Sequence, residues 1–222
     1  LWHVCRIARR LLKGKYNVGR VIARPFIDNP GSFVRTGNRR DFSVDPVGKT
    51  MLDVLKSEGY DVLGVGKIED IFNHRGLTQS NHAAGNEACT DAIIQYMQKE
   101  NWKGLLFANL VDTDQLYGHR NDVKGFAGAL EAFDKRLPEI LKLLGDDGML
   151  IITADHGCDP TFPTTDHTRE RVPLVTWGLG LQEGVNLGQR KTFADVSATV
   201  LEALGSETRL DGTSFYPEIA LD

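Results

Sequence analysis

Two apolar runs each end in a cluster of Asp and His. Residues 104–111 (GLLFANLV) lead straight into Asp112-Thr113-Asp114-Gln115-Leu116-Tyr117-Gly118-His119, and residues 149–153 (MLIIT) into Ala154-Asp155-His156-Gly157. A third His, His167, lies in TDHTRE at 165–170, just before another apolar run, PLVTW. Mixed carboxylate and imidazole sets suit Mn²⁺ or Zn²⁺ and are poor for Ca²⁺, which prefers oxygen alone. Taken singly, an Asp after a strand is often a helix cap and a His a hydrogen-bonded loop residue. Three such segments meeting at one place make a metal centre. Asp114, His119 and His167 would complete one open site. Asp155 and His156 are adjacent and can both reach a second ion, which is then short of at least one ligand. Two ions roughly 3.5–4 Å apart clamp the attacking and leaving oxygens of an in-line phosphoryl displacement.

The elements that must hold these groups follow from the hydrophobic pattern. Helices are predicted at 51–57, stopped near Gly59, at 86–99, at about 122–144 and at 193–204. Pro138 should kink or divide the third of these. Strands are predicted at 61–66 (DVLGVG), 104–111, 149–153 and 173–177. Continuous apolar strands alternating with helices predict an α/β fold with a mostly parallel sheet covered on both faces. Ligands of such sheets sit beyond the carboxyl ends of the strands, which is where the Asp and His residues fall. Residues 14–46 differ: they are rich in Gly, Asn, Arg and Pro, are locally basic, and hold one short strand candidate, Arg20–Ala23.

The 222 residues carry 26 basic and 30 acidic side chains, a net charge of −4. This argues against a general nucleic-acid binder and suits an enzyme of small molecules. No apolar run approaches the roughly 20 residues of a membrane helix. Residues 1–13 carry Arg6, Arg9, Arg10 and Lys13 among their apolar residues, so they lack the apolar heart of an export signal. Three cysteines, Cys5, Cys89 and Cys158, without zinc-finger spacing fit a reducing cytoplasm. The chain opens without Met inside a helical pattern (Trp2, Cys5, Ile7, Ala8, Leu11, Leu12), so the sequence is expected to be part of a longer chain.

NLVDTDQLYGHR (109–120), ITADHGCDPT (152–161) and TDHTRERVPL (165–174) resemble the metal motifs of the alkaline phosphatase superfamily, and most closely those of the phosphopentomutases. GRVIARPF (19–26), FVRTGNRRDF (33–42) and VGKIEDIF (65–72) extend the resemblance over nearly the whole chain. Cofactor-independent phosphoglycerate mutases share the metal logic, but their metal Asp and His are typically one residue closer together and they lack the RTGNRRD block. The resemblance implies an alkaline-phosphatase-like core, residues 47–222, preceded by the tail of a cap domain, residues 1–46. It implies interconversion of α-D-ribose 1-phosphate and D-ribose 5-phosphate, and of the 2-deoxy pair, through a phosphothreonine between two Mn²⁺ ions. By match, Asp114, His119 and His167 bind one Mn²⁺, Asp155 and His156 the other. Arg20, Arg35 and Lys67 match positions facing the substrate phosphate or sugar; guanidinium forks and an ammonium suit that task.

The chain departs from that pattern in three ways. The first strand with its metal Asp, and the TGHWE-like stretch with the nucleophilic Thr, have no counterpart, so the chain resembles the C-terminal part only and is expected to need the missing N-terminal part as its partner. Cys158 stands where Asn is usual after DHG, and Arg171 where an aromatic is usual after HTRE. A Cys158 side chain turned toward a dication would have a lowered pKa. Two other readings remain at this point: another metal-dependent phosphatase or phosphodiesterase of the superfamily, and a non-catalytic metal-binding module.

Overall fold

The computed structural model describes residues 1–29, 32–36 and 38–221. The chain divides into two units, Leu1–Lys49 with Glu69–Arg75, and Thr50–Ile68 with Gly76–Asp222.

In the first unit, α1 (Trp2–Leu11) packs on an antiparallel pair, β1 (Arg20–Ala23) with β4 (Arg40–Ser43). Of the apolar positions read from the sequence, α1 buries Cys5 but leaves Trp2, Ile7 and Leu11 exposed, and it buries Arg9 instead. The reason is polar: the Arg9 guanidinium donates to the carbonyls of Val18 (2.5 Å) and Leu12 (2.8 Å), tying the helix to the segment that succeeds it. The strand at Arg20–Ala23 stands as predicted. Three more were missed. β2 (Phe26–Asn29) and β3 (Ser32–Arg35) form a hairpin whose alternation is masked by apolar residues on both faces, with Phe26, Ile27, Phe33 and Val34 all exposed. Residues 69–75 join this unit through hydrogen bonds from Asn73 Nδ2 to Asp45 (2.6 Å) and from Arg75 to the carbonyls of Pro46 and Gly48.

The second unit is built on a parallel sheet. Thr50 and Asp53 cap α2 (Met51–Ser57) reciprocally, each side chain accepting from the other's backbone N–H. Gly59, at φ +87°, turns the chain out of that helix into β5 (Asp61–Val65). A single turn, α3 (Ile68–Ile71), of which only Ile68 belongs to this unit, comes next, then β6 (Gln79–Asn81), α4 (Asn86–Met97) and β7 (Gly104–Ala108). The order is β6-β5-β7, all parallel, with Asp61 beside Gly104 and Val65 beside Ala108. Four of the five β5 residues are buried, as a central strand requires. Leu63 and Val65 pack with Cys89, Ala92, Ile93 and Tyr96 of α4 and Ile140 of α5 (Val123–Leu143). Pro138 lies inside α5 without dividing it. Pro138 and Asp134, whose carbonyl loses its helical partner, are both exposed. The α/β fold with helices flanking a parallel sheet is as predicted.

β8 (Leu150–Thr153) and β9 (Leu174–Trp177) form a separate antiparallel pair, Leu150 opposite Trp177. A parallel partner would need a crossover connection, usually a helix. Instead the segment between them folds back at an antiparallel bridge, Gly157 with Thr168, and returns to the end of the pair it left. α6 (Ala194–Ala203) and α7 (Tyr216–Ile219) close the unit, with Asp195 of α6 accepting from the Thr213 amide (2.8 Å). No helix among the described residues is long and apolar enough to cross a membrane.

Candidate metal centre

β5 and β7 are parallel, so Lys67 after β5 and residues 109–121 after β7 leave the sheet at one edge. The two exits are pressed together: a Cβ on Gly66, at φ +75°, would stand 2.6 Å from the Asn109 carbonyl oxygen. Asp112 then serves as a cap. Its Oδ2 accepts from the Asn86 amide (2.8 Å) and its own amide donates to Asn86 Oδ1 (2.9 Å), fastening the exit of β7 to the start of α4. A wide π-helical turn, Thr113–Tyr117, carries Asp114, and a 3₁₀ turn, Gly118–Arg120, carries His119.

Asp114 Oδ1 is the hub. His119 Nε2 lies 3.2 Å from it, His167 Nε2 3.1 Å, and Cys158 Sγ 3.9 Å. The His156 ring stacks on His167 at 3.6 Å, and His167 faces His119 at 5.0 Å. One ligand atom from each of Asp114, His156 and His167 can be chosen so that all three lie within 4.8 Å of one another. Ligand atoms bound at about 2.1 Å lie about 3.0 Å apart at right angles and about 3.4 Å apart at tetrahedral angles. The 3.1 and 3.2 Å spacings around Asp114 Oδ1 fit that range.

The imidazoles are also oriented for binding. His119 Nδ1 meets the Thr165 carbonyl at 2.5 Å and His156 Nδ1 the Gly157 carbonyl at 3.0 Å. A carbonyl only accepts, so both Nδ1 atoms carry a proton, which leaves Nε2 as the atom each ring would offer to a cation. His167 arrives through the Gly157–Thr168 bridge. There Thr168 donates its amide to Gly157 (3.0 Å), Thr168 Oγ1 accepts from the Asp159 amide (2.7 Å) and donates to Glu170. A Cβ on Gly157 would press to 2.8 Å from the Thr168 carbonyl oxygen, so the close return of the chain depends on glycine.

Four of the five predicted ligands, Asp114, His119, His156 and His167, are thus brought together. Asp155 is not drawn in: its side chain is 69% exposed, with Oδ2 3.7 Å from His156 Nε2. Cys158 does point at the centre. Its thiol is pushed up, first by burial and then by the Asp114 and Glu170 charges, so it is protonated. Lys67 stands at the carboxyl end of β5. Arg20 begins β1 and pairs with Asp41 (3.2 Å), which Arg39 also holds (2.9 Å). Burial works against the Asp41 charge, but the bonds and charges of Arg39 and Arg20 outweigh it and hold the carboxyl below its ordinary range. Arg35 ends β3 opposite Phe26; Gly37 of the same motif lies outside the described residues. Asn121, whose amide side chain reaches three carbonyls of the loop before His167, was missed. Its one sequence signal is an Asn directly after the 3₁₀ turn, at a position that requires positive φ.

Residues 51–208, which include every one of these centre residues, match the family described as Metalloenzyme superfamily. The chain belongs to the metalloenzyme superfamily. Divalent-metal binding follows from that membership and from the donor set at Asp114. Among curated relatives, the phosphopentomutase of Caldanaerobacter subterraneus subsp. tengcongensis is 57% identical over 221 residues, 100% of this chain and 56% of that protein. The phosphopentomutase of Alkaliphilus metalliredigens is 53% identical over 215 residues, 97% of this chain and 55% of that protein. The chain therefore spans little more than half the length of the relatives it matches. The PH0037 protein from Pyrococcus horikoshii shares the fold at a TM-score of 0.55 and 16% identity, over 78% of this chain and 57% of its own.

Proposed function

We propose that this metalloenzyme chain is the C-terminal part of a phosphopentomutase, which interconverts α-D-ribose 1-phosphate and D-ribose 5-phosphate, and the 2-deoxy forms, in the cytoplasm. The observation that carries the reading is the convergence of three imidazoles on Asp114 at one sheet edge, in a chain 57% identical to a phosphopentomutase. Asp114, His119, His156 and His167 would hold Mn²⁺, with Asp155 beside His156 reaching a second ion. The carboxylates suit Mn²⁺ and the imidazoles suit Zn²⁺; the likeness to phosphopentomutases favours Mn²⁺ between the two. Bound there, the ions supply the positive charge that a transferred phosphoryl group needs as charge develops on its oxygens.

The chain's own residues do the rest. Asp114 Oδ1 gathers His119 and His167, and the Thr165 and Gly157 carbonyls orient the rings of His119 and His156. Lys67 brings an ammonium to the same sheet edge for a phosphate. Arg20 and Arg35, on the first unit, supply guanidinium forks for the phosphate or sugar. The nucleophilic Thr belongs to the missing N-terminal part. The test is to join this chain to that part and monitor conversion of α-D-ribose 1-phosphate. Activity that requires Mn²⁺ and disappears in His167→Ala supports the proposal; hydrolysis to free phosphate without isomerisation refutes it in favour of a phosphatase.

A further inference from the structure

Residues 158–167 between the two stacked imidazoles have almost no apolar anchor. Phe162 is half exposed, and most of the loop faces solvent. Yet this loop delivers His167 to Asp114, so polar ties must set its course. Besides the Thr168 bridge, they come from the 3₁₀ turn that carries His119. His119 Nδ1 donates to Thr165. Asn121 Nδ2 lies 3.2 Å from the Pro160 carbonyl, 2.8 Å from that of Phe162 and 2.9 Å from that of Thr164. Asn121 sits at φ +53°, where Asn is among the few non-glycine residues at ease. Its own amide donates to Gly118 (3.1 Å), which completes the turn.

We infer that Asn121 is a positioning residue for the metal centre: its carboxamide clamps the carbonyls of residues 160–164 and so sets where His167 meets Asp114 and His119. The inference rests on the metal-centre reading. An amide NH₂ has two hydrogens for three carbonyls, so it shares them and pulls the loop into one tight curve around a single atom. Groups that orient metal ligands without touching the metal typically change affinity 10–100-fold.

Asn121→Gly keeps the positive φ and deletes only the clamp. In the full-length protein, titrated with Mn²⁺ alone, it is expected to raise the dissociation constant about tenfold. Amide hydrogen exchange over residues 160–167 should accelerate with it. Asn73→Gly is the control: Asn73 also has positive φ (+51°) and a side-chain bond, to Asp45, but lies in the other unit. A merely local stability loss would appear in both variants without moving Mn²⁺ affinity. If Asn121→Gly binds Mn²⁺ as Asn73→Gly does while His167→Ala loses binding, the clamp is refuted and the metal centre stands. If His167→Ala also binds normally, the metal-centre reading falls and the clamp with it.

Discussion

After β7 the chain wraps Asp114 in partners: two imidazole nitrogens at 3.1 and 3.2 Å and a thiol at 3.9 Å, on a carboxylate 27% exposed. After β8 it leaves Asp155 69% exposed beside its own neighbour His156. Both strands end in Asp and His, and both lie in one unit. The difference lies in the next few residues of the chain. Downstream of Asp114 come a π-helical turn, a 3₁₀ turn and Asn121, which bind the chain to a second loop. Downstream of Asp155 comes the loop that is bound. The side that carries Asp114 is the more tightly tied, so a cation held there would lose less to ordering than one held at Asp155.

That contrast is most sharply broken by removing the two carboxylates in turn. In the full-length protein we expect two equivalents of Mn²⁺. Asp114→Ala should abolish the tighter site, a loss above about a hundredfold. Asp155→Ala should remove one equivalent and leave the tighter one within about threefold. Equal losses in a calorimetric titration would show that both strand ends are equally organised.

The next largest effect tests the packing beneath Asp114. A Cβ on Gly118 would stand 2.9 Å from the Thr113 carbonyl oxygen and overlap Cys158 Sγ. Gly118→Ala should therefore destabilise by about 2 kcal/mol. Gly128, on the α5 surface with nothing near its missing Cβ, should accept Ala and gain up to about 1 kcal/mol. Thermal unfolding of the pair reads both signs; a neutral Gly118→Ala would mean the turn relaxes freely.

The same residues explain how much of the molecule is legible in its sequence. β5, β7 and β8 are readable because continuous apolar runs need no partner to be recognised. The Asp and His residues are readable because they come directly after those runs. The direction of β9 is not, since it depends on a bridge between Gly157 and Thr168, eleven positions apart, that no periodicity announces. The hairpin β2–β3 escapes because its apolar residues face both ways. Asn121 escapes because its partners are backbone carbonyls, which every residue carries. Whether the Cys158 thiol turns inward is not legible either: its place two residues after His156 allows both orientations, and only the fold brings Sγ to 3.9 Å from Asp114 Oδ1.

The smallest effect belongs to the first unit, whose charges are held by their own pairs. Asp41 accepts from Arg39 Nε at 2.9 Å and Arg20 NH1 at 3.2 Å, and its carboxyl is only 13% exposed. Its folded pKa is depressed below the ordinary carboxylate value of about 3.9. A depressed folded pKa means the unfolded chain takes up the proton first as pH falls. The pairing thus stabilises fully above the unfolded pKa, fades below about pH 4, and is gone beneath the folded pKa. Asp41→Asn should lower the melting temperature by a degree or two at neutral pH. The gap between wild type and variant should close as pH falls through that range. Melting curves of wild type and Asp41→Asn from pH 7 to pH 3, in chelator so that no cation contributes, make the comparison. A constant gap would mean that the Asp41 charge, and with it the pairing to Arg39 and Arg20, contributes nothing to the fold.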